Sequence, residues 1–173
     1  REEFARVKGL AKKPTTTPYP DGVLIMGLPM DTASARYISD IAQYWLAQSE
    51  RESERGRQAV MDADASDIAL MNCFSPCMTI NLSTDITPAI ALLLAKAKQI
   101  LLQESRRMKA MTFRKRPYVQ LGEKTLIPDD EEAYSNTSSY PSASAAIGWG
   151  LALVLTEVAP EHQDSLLKRG FIS

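Results

Sequence analysis

The segment that opens at Pro141 and runs to about Val158 constrains the fold more than any other. Pro141 and Ser142 suit the start of a helix, and Ala145 to Leu155 is a run of eleven residues without a charged side chain. Eleven falls well short of the ~20 apolar residues of a membrane-spanning helix, so no membrane span is expected. A helix that is apolar on every side has to be buried on every side. That places this one at the centre of a helical bundle.

The rest of the chain carries helical period to surround it. From Asp31, Ala35, Ile38, Ile41, Ala42, Trp45 and Leu46 recur at spacings of three and four. Gly56 then separates a shorter helical stretch, Gln58 to Ala63, from another at about Ser66 to Phe74. The longest helix is marked by Thr87 as a cap and Pro88 at its first position. It continues from Ala89 to about Met111 with Ile90, Leu93, Leu94, Ala97, Ile100 and Leu101 as one stripe. Pro117 ends whatever helix persists that far, because the residue before a proline is pushed out of helical geometry. Pro160 begins a last helix, and Gly170 is expected to stop it after Lys168 and Arg169. No segment alternates with strand period and no stretch repeats, so the expected fold is all-α.

With 173 residues, 45% apolar and 24% charged, the chain suffices for one domain with a core, which excludes a disordered tail and a disulfide miniprotein. Residues 1–27 read as an irregular arm: a basic start gives way to Pro14, Pro18, Pro20 and Gly22, a density of breakers no helix sustains. Within it, Val23 to Leu28 is expected to rest against the body, and residues 28–173 form the helical domain. The chain opens at Arg1 with no apolar leader, so any targeting segment is expected to lie outside it.

Twenty Lys and Arg against twenty-one Asp and Glu leave a net charge of −1, so no overall field draws the molecule to nucleic acid, and none is expected as a partner. Charge-driven chemistry has to be local. Two cysteines and the single His162 cannot make an ordinary zinc site, and no metal or cofactor is expected. Cys73 and Cys77 read either as two small buried residues or as a short-loop disulfide.

Two features bear on chemistry. Arg106, Arg107, Lys109, Arg114, Lys115 and Arg116 fall within eleven positions at the end of the long helix. If the helix reaches Arg116, Lys109 and Arg116 share a face two turns apart and can hold one anion. Alternatively the cluster is a solvated helix C-terminus whose charges offset the dipole. The second feature is the start of the apolar helix. Ser142 caps it, and the amides of Ala143, Ser144 and Ala145 are expected to point out unpaired, where a phosphate is favoured. Between the two lies a polar connection from about Gly122 to Tyr140, with Asp129 to Glu132 acidic, long enough to border a site. The charge run Glu50 to Arg55 reads as a solvated helix end or as a partner surface.

Lys109-x6-Arg116-Pro117, a loop, and then Ser139-Tyr140-Pro141-Ser142-Ala143-Ser144 resemble the first two signature motifs of the class A bacterial non-specific acid phosphatases, of the type-2 phosphatidic acid phosphatase superfamily. The resemblance extends through Glu54 to Val60, Asp62 to Asp64, Asn72 to Ser75, Ile147 to Trp149, Ala152 to Leu155 and Leu167 to Gly170. It implies a helical bundle of that superfamily's kind, incomplete at its C-terminus, and a metal-free, periplasmic or secreted hydrolase of phosphate monoesters. In such enzymes a Lys and an Arg of the first motif bind the phosphoryl oxygens, a His of a third motif becomes a phosphohistidine, and a His ending the second protonates the leaving alcohol.

The resemblance carries phosphate binding onto Lys109, Arg116, Ser142 and the amides of Ala143 and Ser144. It also exposes departures. Where the family has Pro-Ser-Gly-His, this chain has Pro141-Ser142-Ala143-Ser144, so the general-acid position holds Ser144, whose hydroxyl does not exchange a proton usefully at acid or neutral pH. The third motif, with the nucleophilic His, would begin a few residues after Ser173 and is absent, and His162 is a surface residue rather than a substitute. Without that stretch the apolar faces around Ala145 to Leu155 are expected to be open to water, or covered by further chain or a homo-oligomer. Three readings follow: an acid phosphatase impaired as written, a non-catalytic binder of phosphate or small phosphomonoesters, and a structural helical interaction module.

Overall fold

Four helices begin on a serine whose hydroxyl accepts an amide hydrogen from the first turn: Ser34 from Tyr37, Ser53 from Arg55 and Gly56, Ser66 from Ala69, and Ser142 from Ala145. Each such cap contributes about 1 kcal/mol and fixes where its helix starts. The computed structural model describes residues 20–172. Its helices are α1 (Gly22–Met26), α2 (Ala35–Gln48), α3 (Glu54–Asp62), α4 (Asp67–Phe74), α5 (Pro88–Met111), α6 (Pro117–Leu121), α7 (Glu131–Tyr134), α8 (Ala143–Val158) and α9 (Gln163–Phe171). Short 3-10 turns at Ser75–Cys77, Pro128–Asp130 and Pro160–His162 complete it, and among the described residues there is no strand. The all-α expectation holds.

The core lies where α8 packs on α5 and α9. Phe74, Leu82, Leu151, Leu155 and Leu166 are fully buried, joined by Met71, Leu94, Ile147 and Ala152. On α8 the buried set Ile147, Gly148, Leu151, Ala152 and Leu155 makes one stripe. The opposite side is open: Trp149 is 42% exposed and Leu153 44%, with Ala145 exposed a turn before them. Burial on every side therefore fails for α8, because the described chain supplies neighbours to one side only. No helix among the described residues is long and apolar enough to cross a membrane.

Gly170 does not stop the last helix. It lies inside α9 and buried, where a Cβ would stand 2.4 Å from the Ala152 Cβ and 2.8 Å from the Gly148 carbonyl oxygen, so the glycine serves a close helix crossing. Gly56 is likewise inside α3 rather than before it. A Cβ there would sit 2.0 Å from the Arg51 carbonyl oxygen, which only a hydrogen can approach. Thr87 does not cap α5 with its side chain. Its hydroxyl donates to the Ser83 carbonyl and accepts from the Ser83 amide, tying the preceding loop instead.

The inward face of α2 is rotated from the expected one. Tyr37 is buried and Ile41 and Tyr44 are half-buried, while Ile38, Trp45 and Leu46 are exposed. Polar pairing decides this. Arg114 forms an ion pair with Asp40 and lies 5.6 Å from the Tyr37 ring, and Gln120 donates to the Tyr37 hydroxyl.

Of the expected arm, residues 1–19 lie outside the described residues. The part that follows includes a helix, α1, because Asp21 caps it by accepting from the Val23 amide. Asp21 also accepts from Arg107, which grips Glu104 at the same time, so α1 is fastened to α5. Of the residues expected to rest on the body, only Val23 is buried, while Leu24, Ile25, Met26 and Leu28 are exposed. Cys73 and Cys77 are not joined by a disulfide and are only partly buried.

Candidate functional site

The cations at the end of α5 divide by what their neighbours supply. Arg107 is committed to Asp21 and Glu104, and Arg114 to Asp40. Arg106, Lys109 and Arg116 line one open concavity of about 570 Å³ together with Ser142, Ala143 and Ser144. Arg107 and Arg114 thus depart from the expected solvated helix end, since both are partly buried and paired with carboxylates.

Lys109 and Arg116 do not share a helix face. α5 ends at Met111, where Thr112 turns extended and its hydroxyl donates back to the Met108 carbonyl at 2.9 Å. Arg116 stands at the N-cap of α6, so the chain returns it toward Lys109 by a turn rather than by helical register. That return is laced to the segment before α8. The Ser139 amide donates to the Arg114 carbonyl at 2.8 Å, the buried Ser138 hydroxyl accepts from the Arg114 amide at 3.2 Å, and the Ser139 hydroxyl donates to the Arg114 carbonyl. The Tyr140–Pro141 peptide bond, which is cis, then leads into α8.

Lys109 is half-buried and its Nζ donates to the Ser138 carbonyl at 2.7 Å. Burial first, and then the charge of Arg116, pull its ammonium below the ordinary lysine range; a negative charge between the two cations would offset their mutual repulsion. Arg116 donates from Nε to the Thr137 hydroxyl at 3.0 Å, and its guanidinium lies 4.8 Å from the Tyr134 ring centroid. Both cations are therefore held in place by the connection that precedes α8.

At the head of α8, Ser142 caps as expected, but the cap engages the Ala145 amide at 3.2 Å. Two outward amides remain at the open end, those of Ala143 and Ser144, instead of three. Ser144 also borders a small adjoining cavity of about 30 Å³, room for a single water, with Asp62, Asp64 and Gly148 in its wall. Asp62 is paired with Arg169 across α3 and α9, which walls this side off.

His162 lies in the 3-10 turn before α9, 3.9 Å from a Glu161 carboxylate oxygen, and does not line the concavity. Among the described residues no group of three or more His, Cys, Asp or Glu side chains is placed to hold a metal. Arg106 is a lining residue that sequence reasoning named only as part of the cluster. Its place three residues before Lys109, on the same helix face, is the signal that finds it. Tyr134 and Thr137, which grip Arg116, carry no such signal, because a loop brings them there.

The Ala143 and Ser144 amides and the Ser142 and Ser144 hydroxyls at the head of α8 share one open concavity with three cations, which puts the chain in the class of helical proteins with a polar, cation-lined pocket. Comparison with known proteins gives the same class a lineage. Over 156 residues the chain is 33% identical to a non-specific acid phosphatase of Providencia stuartii, covering 87% of this chain and 61% of that protein. It is 28% identical to an acid phosphatase of Zymomonas mobilis over 88% of this chain and 58% of that one. It is 32% identical to a non-specific acid phosphatase of Salmonella typhimurium over 82% and 56%. The chain is a homologue of bacterial acid phosphatases along most of its length, and it spans about three-fifths of theirs. No family model matches it.

Proposed function

We propose that this chain carries the phosphate-binding part of a class A acid phosphatase of the type-2 phosphatidic acid phosphatase superfamily, and that hydrolysis by the family route is severely impaired in it as written. The observation that carries the reading is the convergence of Lys109, Arg116 and the head of α8 on one concavity in a homologue of acid phosphatases. Lys109 and Arg116 supply the charge for a phosphoryl group's oxygens, and the Ala143 and Ser144 amides complete the cradle. Phosphate or a small phosphomonoester is the ligand. In the family reaction a phosphohistidine forms and a second His protonates the leaving alcohol. Here Ser144 holds that second position, and its hydroxyl is too weak an acid to deliver a proton to the leaving alcohol, a loss on the order of 10² to 10⁴ in rate. The compartment proposed is the periplasm, by kinship with such enzymes.

The test is isothermal titration with inorganic phosphate and vanadate, beside a p-nitrophenyl phosphate assay at pH 5 to 7. Saturable binding that Lys109→Met and Arg116→Met each weaken, with turnover that rises in an Ala143→Gly, Ser144→His variant carrying the relatives' third motif, is the expected result. Absence of phosphate binding, or binding indifferent to both substitutions, rejects the reading. The exposed Trp149 and Leu153 on α8 favour a second one, a helical interaction module or homo-oligomer in which that face is covered. It predicts self-association and no anion binding.

A further inference from the structure

We propose that the loop wall of this concavity is a leaving-group subsite, which takes the aromatic or bulky apolar half of a phosphomonoester whose phosphoryl group lies between Lys109 and Arg116. The inference rests on the phosphate-binding reading above. Size is the first argument. A concavity of about 570 Å³ has room for about twenty waters at roughly 30 Å³ each, many times what one tetrahedral oxyanion fills, and falls in the range of sites that hold organic ligands.

Chemistry is the second. Beyond the cations and the head of α8, the lining comes from Leu102 of α5 and from Leu126, Ile127 and Tyr134 of the connection. Leu126 is 36% exposed and Tyr134 47%, so both have apolar surface that an organic group can cover. Asp130 and Glu131 share the wall; Glu131 is paired with Lys124 at 2.9 Å, and the charge of Asp130 opposes a second phosphate on the same ligand. Together these features select a monoester of an apolar alcohol over a polyphosphate or a small polyol phosphate.

The third argument is that this wall is fastened. Arg51, between α2 and α3, donates to the Lys124 carbonyl at 2.6 Å and to the Thr125 carbonyl at 2.5 Å. The Thr125 amide donates to the Glu131 carboxylate at 2.7 Å, and the Tyr118 hydroxyl donates to the Glu131 carbonyl at 2.6 Å. Leu126 and Ile127 therefore stand on a braced segment. The same connection orients the cradle, since the Thr137 hydroxyl accepts from Arg116 and donates to the Tyr134 carbonyl while the Tyr134 ring lies against the guanidinium. Cradle and apolar wall are parts of one assembly.

Two non-hydrolysable probes test it on the chain as it exists: methylphosphonate and phenylphosphonate, titrated beside inorganic phosphate at pH 6. Phenylphosphonate is expected to bind about tenfold more tightly than methylphosphonate. Leu126→Ser is expected to cut that ratio at least about threefold, with Ile127→Ser as the second variant if the first melts early. A ratio near one in the parent, with methylphosphonate still bound, overturns the subsite and leaves the phosphate-binding reading standing. So does a phenylphosphonate affinity unmoved by Lys109→Met, which puts the ring elsewhere. If none of the three anions binds, the phosphate-binding reading fails and takes the subsite with it.

Discussion

Gly170→Ala separates two roles that a glycine near a helix end can play. If Gly170 were simply a weak point in α9, alanine would stabilise the helix by about 1 kcal/mol through its better propensity. The structure gives the opposite sign. The added methyl would stand 2.4 Å from the Ala152 Cβ and 2.8 Å from the Gly148 carbonyl oxygen, against about 3.5–4.0 Å for ordinary carbon contacts. Neither of those atoms can swing away, since one is a Cβ on a fully buried residue and the other is backbone. α9 must then lift from α8 by about 1 Å, and overpacking of this kind costs about 1–3 kcal/mol. Set against the propensity gain, the net is a destabilisation of up to about 2 kcal/mol, or up to about 8 °C in Tm for a domain of this size. Gly150→Ala is the control. Its methyl would meet Leu101 Cδ1 at 2.6 Å, the end of a flexible side chain that can rotate, so the propensity gain survives. Urea unfolding followed by helical circular dichroism reads both. A Gly170→Ala protein more stable than its parent, as Gly150→Ala is expected to be, would refute the close crossing.

At low pH the link between α1 and α5 is expected to fail. Hydrogen bonds from Arg107 hold the Asp21 and Glu104 carboxyls below the ordinary carboxylate range, against burial, which pushes the other way. Depressed folded-state values mean stability that is present above the unfolded values of about 3.9 and 4.3 and lost as the pH drops through the folded ones. Tm measured from pH 6 to pH 2 should therefore fall more steeply for the parent than for Arg107→Met, and equal slopes would discard the linkage. Ser142→Ala should cost about 1 kcal/mol in urea unfolding, because the Ala145 amide loses its acceptor. An unchanged midpoint would mean that this cap contributes nothing.

Much of the architecture is legible in the residues, and the misreadings have physical causes. Pro88 and Ser142 announce their helices, because a missing amide hydrogen and a short hydroxyl have few other uses at those positions. Gly56 and Gly170 read as breaks because sequence alone cannot tell a glycine needed for its dihedrals from one needed for lack of a Cβ. The face of α2 was turned because Tyr37 and Asp40 look polar until Arg114 is brought beside them from a distant segment. In the candidate site, Lys109, Arg116 and Ser142 follow from motif spacing. Their convergence depends on the Thr112 turn and on Ser138 and Ser139, whose hydrogen bonds join segments more than twenty residues apart.

Arg51 grips the oxygens of the peptide backbone at positions 124 and 125, and not the side chains found there. Every amino acid brings such an oxygen. Mutational drift can therefore rewrite the side chains of Leu126 and Ile127 without touching the two bonds that hold the segment presenting them. A strap fixed through carbonyl groups in this way tolerates a change of side chain that one fixed through side chains would not.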